Sequence, residues 1–173
     1  MNPKSAGPKK KAVGGVATGR ERVLVASNRK ARHDYEILDV VETGIALVGT
    51  EVKSIRAGKV VLKDAYARVE GGELWLFGVH IAPYDQADGF GGHDPERVRK
   101  LLAHRNQIDE WADRTRREPL SLVPLAVFFV HGKAKVEMAL GRGRRSHDKR
   151  QAIAERDATR EAARAVAARR RQV

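Results

Sequence analysis

Lys63-Asp-Ala-Tyr-Ala-Arg-Val-Glu70-Gly-Gly-Glu73-Leu-Trp-Leu-Phe-Gly-Val-His-Ile81 sets the fold class of this 173-residue chain. Apolar and polar residues alternate on both sides of Gly71-Gly72, and a period of two is that of a half-buried strand. Two glycines in a row supply the positive φ angles of a two-residue hairpin turn. Downstream, Ser121 to Val130 and Lys133 to Leu140 read as two strongly apolar strands joined at His131-Gly132. Upstream, Tyr35 to Val41 and Ile45 to Val48 read as strands separated by Glu42-Thr43-Gly44, a hairpin signal.

Two stretches break the strand pattern. In Gly49 to Lys59, Thr50 is a candidate N-cap, Glu51 sits in the first turn and Gly58 is a stop. Val52 and Ile55 would face inward at i, i+3, with Glu51 and Lys53 toward solvent. Asp94-Pro95 carries the start chemistry of a second, longer helix. Val98, Leu101, Leu102, Ile108, Trp111 and Ala112 form its expected buried stripe, leaving Arg97, Lys100, His104, Arg105 and Gln107 exposed. Ser27 to Asp34 is a basic, turn-prone cluster able to cap a short helix, and Ala82 to Gly92 reads as a Gly/Asp-rich loop. About six short strands with a helix between strand sets suggest a mainly β fold. The specific expectation is a small oligonucleotide-binding-type barrel with flanking helices. A plain α+β sandwich is the alternative.

Charge is unevenly placed along the chain. Of a net +12, residues 1–33 hold nine Lys/Arg and one acid, and residues 141–173 hold eleven Lys/Arg and four acids. The body between them is slightly acidic. The length suits one domain with tails, and 42% hydrophobic content permits a core. This divides the chain into a flexible basic arm (1–22), a barrel domain (23–140) and a basic tail (141–173). A near-neutral body with two basic arms points to a nucleic-acid partner. A membrane is disfavoured as a partner because neither arm presents a bulky apolar face.

The tail favours helix by composition, and Arg156, Arg160 and Arg164 recur every four residues, which stacks them on one face. Only Ile153 and Val166 are sizeable apolar residues before Val173, so such a helix has almost nothing to bury. It is expected to be disordered when free and to order against a polyanion. A solvated tail without specific contacts is the bland alternative.

Enzyme signals are poor. There is no cysteine, so Cys-based zinc sites and thiolate nucleophiles are excluded. The six histidines show no metal-ligand spacing, and Gly89-Phe90-Gly91-Gly92 lacks the Lys-Ser/Thr of a phosphate-binding loop. Neighbouring side chains usually point apart, so His33-Asp34 reads as a solvated turn. No catalytic residue, metal, cofactor or small-molecule substrate is expected. Tyr66, Trp75 and Phe77 are expected in the core or barrel wall rather than as a base-stacking platform. Glu51 is odd in a polynucleotide-binding surface: it would accept from a base edge, order neighbouring cations, or serve only the helix start. A general RNA chaperone and a basic nuclease are the competing functional classes.

Seven pieces, taken in order, resemble the SsrA-binding protein (SmpB) family, the protein partner of transfer-messenger RNA. They are Asn28-Arg-Lys-Ala-Arg-His-Asp-Tyr35, Gly49-Thr-Glu-Val-Lys-Ser54, Ala82-Pro-Tyr84, His93-Asp-Pro95 with Arg99-Lys-Leu-Leu102, Leu122-Val-Pro-Leu125, Gly132-Lys133 and Asp148-Lys-Arg150. The resemblance implies a cytoplasmic, non-enzymatic bacterial protein whose barrel binds the tRNA-like domain of transfer-messenger RNA and delivers it to stalled ribosomes for trans-translation. It would stand in for the anticodon stem at the decoding centre, with its tail helical against small-subunit rRNA in the empty mRNA channel. Residue by residue, it implies RNA-binding roles for Glu51, Leu102, His104, Gly132 and Lys133; to these the residue-level reading adds the cations Lys53 and Arg105 as RNA-binding candidates. It implies ribosomal contacts for His147, Asp148, Lys149 and Arg150, to which Arg156, Arg160 and Arg164 are added from their spacing. Ala103 stands where that family usually has a third Leu, and the N-terminal arm has no counterpart.

Overall fold

A computed structural model describes residues 22–84 and 92–144. The N-terminal arm, part of the Gly/Asp-rich loop, and all seven tail residues singled out above (His147, Asp148, Lys149, Arg150, Arg156, Arg160, Arg164) lie outside the described residues.

The first described elements are strand β1 (Arg22–Ser27) and the short helix α1 (Arg29–Asp34). Asn28 is the buried cap of α1: its Oδ1 accepts from the Ala31 N–H at 3.0 Å, and its Nδ2 donates to the Leu62 carbonyl at 3.0 Å. The basic cluster therefore does cap a helix, and the cap pins that helix to a distant loop. β2 (Tyr35–Ile45) and α2 (Gly49–Arg56) follow. Gly58, at φ 75°, ends α2 in the left-handed region, the stop read from sequence. Next come β3 (Val60–Val61), β4 (Tyr66–Glu70), β5 (Glu73–Phe77) and β6 (His80–Ile81). The last described elements are β7 (Arg99–Leu102), α3 (Arg105–Arg117), β8 (Leu120–Val130) and β9 (Lys133–Gly143).

Seven strands form one antiparallel sheet in the order β1-β8-β4-β5-β7-β2-β9, and β8 also pairs with β9. The β8–β9 pairing closes the sheet into a ring, with β1 added alongside the far end of β8. β3 and β6 form a separate pair. The ring interior holds Leu74, Leu76, Leu101, Leu122, Val136, Met138 and Leu140, all within one buried cluster that α2 and α3 join through Ile55, Ile108 and Trp111. Each such fully buried large side chain stabilises the fold by roughly 1.5–3 kcal/mol relative to exposure. A bulge between Pro124 and Ala126 shifts the parity of β8. Leu122 and Val127 thus both reach the interior, while Val123 and Leu125 pack outside with Ala31 of α1.

The sequence reading is corrected in three places. Glu42-Thr43-Gly44 is no hairpin, because β2 runs straight through it. Thr43 is completely buried and donates from Oγ1 to the Val136 carbonyl at 3.1 Å, a position inside a sheet. Gly44 pairs with both Leu102 and Lys135, and a Cβ there would lie 3.2 Å from the Leu102 Cβ. Close strand approach, not a turn, uses this glycine.

The second correction concerns the long helix, which starts at Arg105 and not at Asp94. Asp94 spends its capping chemistry on a single turn, its Oδ1 accepting from the Glu96 N–H at 2.9 Å. Arg99–Leu102 is then a strand between β5 and β2. Val98 and Leu102 face out, at 42% and 54% exposure, while Arg99 and Leu101 are buried. A buried arginine hid the strand alternation. The third correction follows: β7 and the short strands β1, β3 and β6 raise the strand number above the six read from sequence. β9 also runs three residues past the expected tail boundary at Leu140, with Gly141 buried beneath Tyr35.

Candidate nucleic-acid interface

Glu51 occupies the first turn of α2, where its Oε2 accepts from the Val48 N–H at 2.8 Å. This is the helix-start role read from sequence, but the carboxylate is completely buried rather than turned to solvent. Two arginines enclose it. Arg97 donates from Nε to Oε1 at 2.9 Å and from Nη2 to Oε2 at 2.5 Å, and Arg99 donates from Nε to Oε1 at 2.8 Å. Arg99, itself fully buried, spends its other donors on the carbonyls of Val79, Arg97, Pro95 and Asp94. Burial pushes the Glu51 carboxyl up, but hydrogen bonds from Arg97, the Val48 N–H and Arg99 outweigh it and hold the group below the usual carboxylate range. Burial lowers the Arg99 guanidinium from its ordinary value, and the Glu51 carboxylate opposes that shift. The hub carries two cations and one anion, and Arg97, 31% exposed, is its outlet to the surface. Of the roles open to Glu51, its contacts match the ordering of neighbouring cations together with the helix start. Both carboxylate oxygens are buried and occupied by these donors.

Leu102, His104 and Arg105 lie together where β7 runs into α3. They do not share a helix: Leu102 ends the strand, His104 is the N-cap and Arg105 is the first helical residue. Arg105 donates from Nη1 to the Gly72 carbonyl at 3.1 Å and pairs with Asp109, so it ties the β4–β5 turn to the helix start. Lys53, Gly132 and Lys133 belong to a second group. His131 and Gly132 turn the β8–β9 hairpin at φ 48° and 74°, and Arg56 of α2 reaches the Gly132 carbonyl at 3.4 Å. Lys53, on the same helix, lies 5.2 Å from the Tyr84 ring. Gly44 stands between the groups, paired with Leu102 on one side and Lys135 on the other. At roughly 4.8 Å per strand spacing, Leu102 and Lys135 stand about 10 Å apart across Gly44.

Sequence reasoning missed several of these residues. Arg97 and Arg99 were read as part of a helix, and only their proximity to a buried acid reveals the hub. Tyr66, Trp75 and Phe77, expected in the core or barrel wall, belong to the wall strands β4 and β5 and not to the buried core. Their intervening neighbours Ala67, Leu74 and Leu76 point inward and the three rings point out. His33 and Asp34 do meet, at 2.9 Å, in the last turn of α1. The contact joins neighbouring residues of one turn.

Among the described residues no group of three or more His, Asp or Glu is disposed to hold a metal, and no helix is long and apolar enough to cross a membrane. The fold defines a mainly β protein whose antiparallel sheet closes into a ring. The model of the SmpB protein family matches residues 25–168, and the chain belongs to that family. The chain is 57% identical to the SsrA-binding protein of Mycobacteroides abscessus over 140 residues, 81% of this chain and 87% of that protein. It is 51% identical to the SsrA-binding protein of Kineococcus radiotolerans over 152 residues, 88% and 96% of the two chains. A chain of a solved structure described as "tmRNA-SmpB: a journey to the center of the bacterial ribosome" matches with a TM-score of 0.60 at 46% identity, covering 74% of this chain and 93% of that one.

Proposed function

We propose that this chain binds the tRNA-like domain of transfer-messenger RNA and delivers it to stalled ribosomes for trans-translation, as a cytoplasmic factor without enzymatic activity. The family match across residues 25–168 carries this reading. The ring of strands is read as an oligonucleotide-binding-type barrel, and its described domain supplies the RNA-recognition surface. Leu102, His104 and Arg105 form one edge of that surface, and Lys53, Gly132 and Lys133 form the other. Glu51 acts from beneath by fixing Arg97. The mechanism is positioning: phosphate contacts from Lys and Arg hold the RNA in register, with peptide transfer left to the ribosome.

The tail, 141–173, acts after RNA binding. His147, Asp148, Lys149 and Arg150 engage the decoding centre, and the Arg156, Arg160 and Arg164 stripe tracks an rRNA phosphate strand in the empty mRNA channel. A tail of eleven Lys/Arg and four acids gives a steeply salt-dependent contact. Reversing all three stripe arginines to Glu should abolish tagging of nascent chains on stalled ribosomes while leaving transfer-messenger RNA affinity nearly intact. Equal loss of both activities would contradict this division of labour.

A further inference from the structure

β4, β5 and β7 present one continuous outward face. The register sets Tyr66 opposite Phe77, Arg68 opposite Trp75, and Trp75 opposite Lys100. The Tyr66 and Phe77 rings are stacked, 5.3 Å between centroids and 12° from parallel. The Arg68 guanidinium lies 4.8 Å from the Phe77 centroid and 5.4 Å from that of Tyr66, and donates to the Tyr66 hydroxyl at 3.2 Å. Lys100 sits 6.0 Å from the Trp75 ring. Rings of this size usually go to the core; here they line the solvent side of the wall, with Tyr66 40% exposed.

Charge decides what such a face can hold. Arg68 is paired with Glu70 at 3.7 Å, and Lys100 is paired with Glu73. Each cation is held near a ring by an acid on the neighbouring position, so the face is close to neutral. A phosphate finds little unpaired charge here. A nucleobase finds aromatic and guanidinium planes, which stack on any base.

We propose that this face takes an unpaired base of the transfer-messenger RNA, stacked against Tyr66, Arg68 and Trp75. The inference rests on the function proposed above and adds a contact to it. β7 decides between RNA sources, because Lys100 and Leu102 lie on this same face and Leu102 continues directly into His104 and Arg105. The stacking face and the first basic edge are therefore one surface, reached by one RNA. Stacking releases no counterions, so this contact adds affinity without adding to the salt dependence.

The test is equilibrium binding of the full chain to labelled tRNA-like domain at several salt concentrations, for wild type, Tyr66→Leu, Tyr66→Phe and Lys133→Gln. Tyr66→Leu should weaken binding about tenfold at every salt concentration with an unchanged salt slope. Tyr66→Phe should bind like wild type, and Lys133→Gln should flatten the slope. In the unsubstituted protein, RNA should quench the emission of Trp75, the more exposed of the two tryptophans, since Trp111 is only 1% exposed. Unaltered Trp75 emission, wild-type affinity in Tyr66→Leu, or a change of slope in that variant would each overturn the proposal. So would a Tyr66→Leu protein that binds the RNA normally and fails only on the ribosome. Wild type that does not prefer this RNA to bulk tRNA would instead overturn the parent function.

Discussion

Glu51 and Arg99 are both completely buried, and Arg99 Nε donates to Glu51 Oε1 at 2.8 Å. One residue starts α2 and the other sits in β7, forty-eight positions later in the chain. Between them they fasten a helix, a strand and the loop carrying Arg97. A buried ion pair repays its desolvation only when the remaining donors and lone pairs are satisfied. Here the second carboxylate oxygen takes Arg97 and the Val48 N–H, and Arg99 fills four carbonyls.

Glu51→Ala should destabilise the protein by about 3–5 kcal/mol, because it strands the Arg99 charge. Arg99→Met should cost a similar amount, since four carbonyls lose their donor. The double variant should cost clearly less than the sum, because residues within one network do not add. Urea denaturation of the four proteins measures this, and simple additivity would break the assignment of a coupled hub.

The same hub sets an acid limit. The Glu51 carboxyl titrates below its ordinary value of 4.5 in the folded protein. Its contribution is therefore complete above the unfolded value and is lost as pH falls through the lower, folded value. Wild type should lose more stability than Glu51→Gln on going from about pH 5 to about pH 3. Parallel stability profiles for the two proteins would contradict the low folded value.

Gly44→Ala addresses the join between the two basic edges. The added Cβ meets the Leu102 Cβ at 3.2 Å, so β7 must give way by a few tenths of an ångström. The expected cost is about 1–3 kcal/mol, as for modest overpacking. Because Leu102 moves with its strand, RNA affinity should fall as well. A Leu102→Ala background should relieve the stability cost only in part, since Leu102 Cβ remains.

Trp111 joins α3 to the ring. It is 1% exposed, and its Nε1 donates to Asp39 Oδ2 at 3.0 Å. Trp111→Phe removes volume and leaves the carboxylate without that donor, and should cost about 2–4 kcal/mol in thermal or urea denaturation. Asp39→Asn should cost less, because an amide oxygen can still accept.

The hairpin at Gly71-Gly72 and the apolar runs of β8 and β9 were legible because period and turn chemistry agreed locally. β7 was not legible. Its alternation is carried by Arg99, and an arginine reads as inward-facing only once Glu51 is known to lie opposite. Gly44 failed for a related reason: a glycine that admits a neighbouring strand looks the same in sequence as one that turns the chain. The rings of β4 and β5 were legible as core or barrel wall but not as one or the other, although the same alternation places Leu74 and Leu76 on the opposite, inward face. Helical periodicity put His104 on the exposed side and Leu102 in a buried stripe, where the structure exposes it; Lys133 came from motif resemblance.

The most direct measurement is binding of labelled transfer-messenger RNA against excess bulk tRNA, comparing the full chain with a version ending at Arg144. That end point keeps all of β9 and the hydrogen bond from the Arg144 N–H to the Asp34 carbonyl. If the ring is the recognition module and the tail acts later on the ribosome, both proteins should bind tightly and selectively. Selectivity that disappears with the tail, or is absent from both proteins, would contradict it.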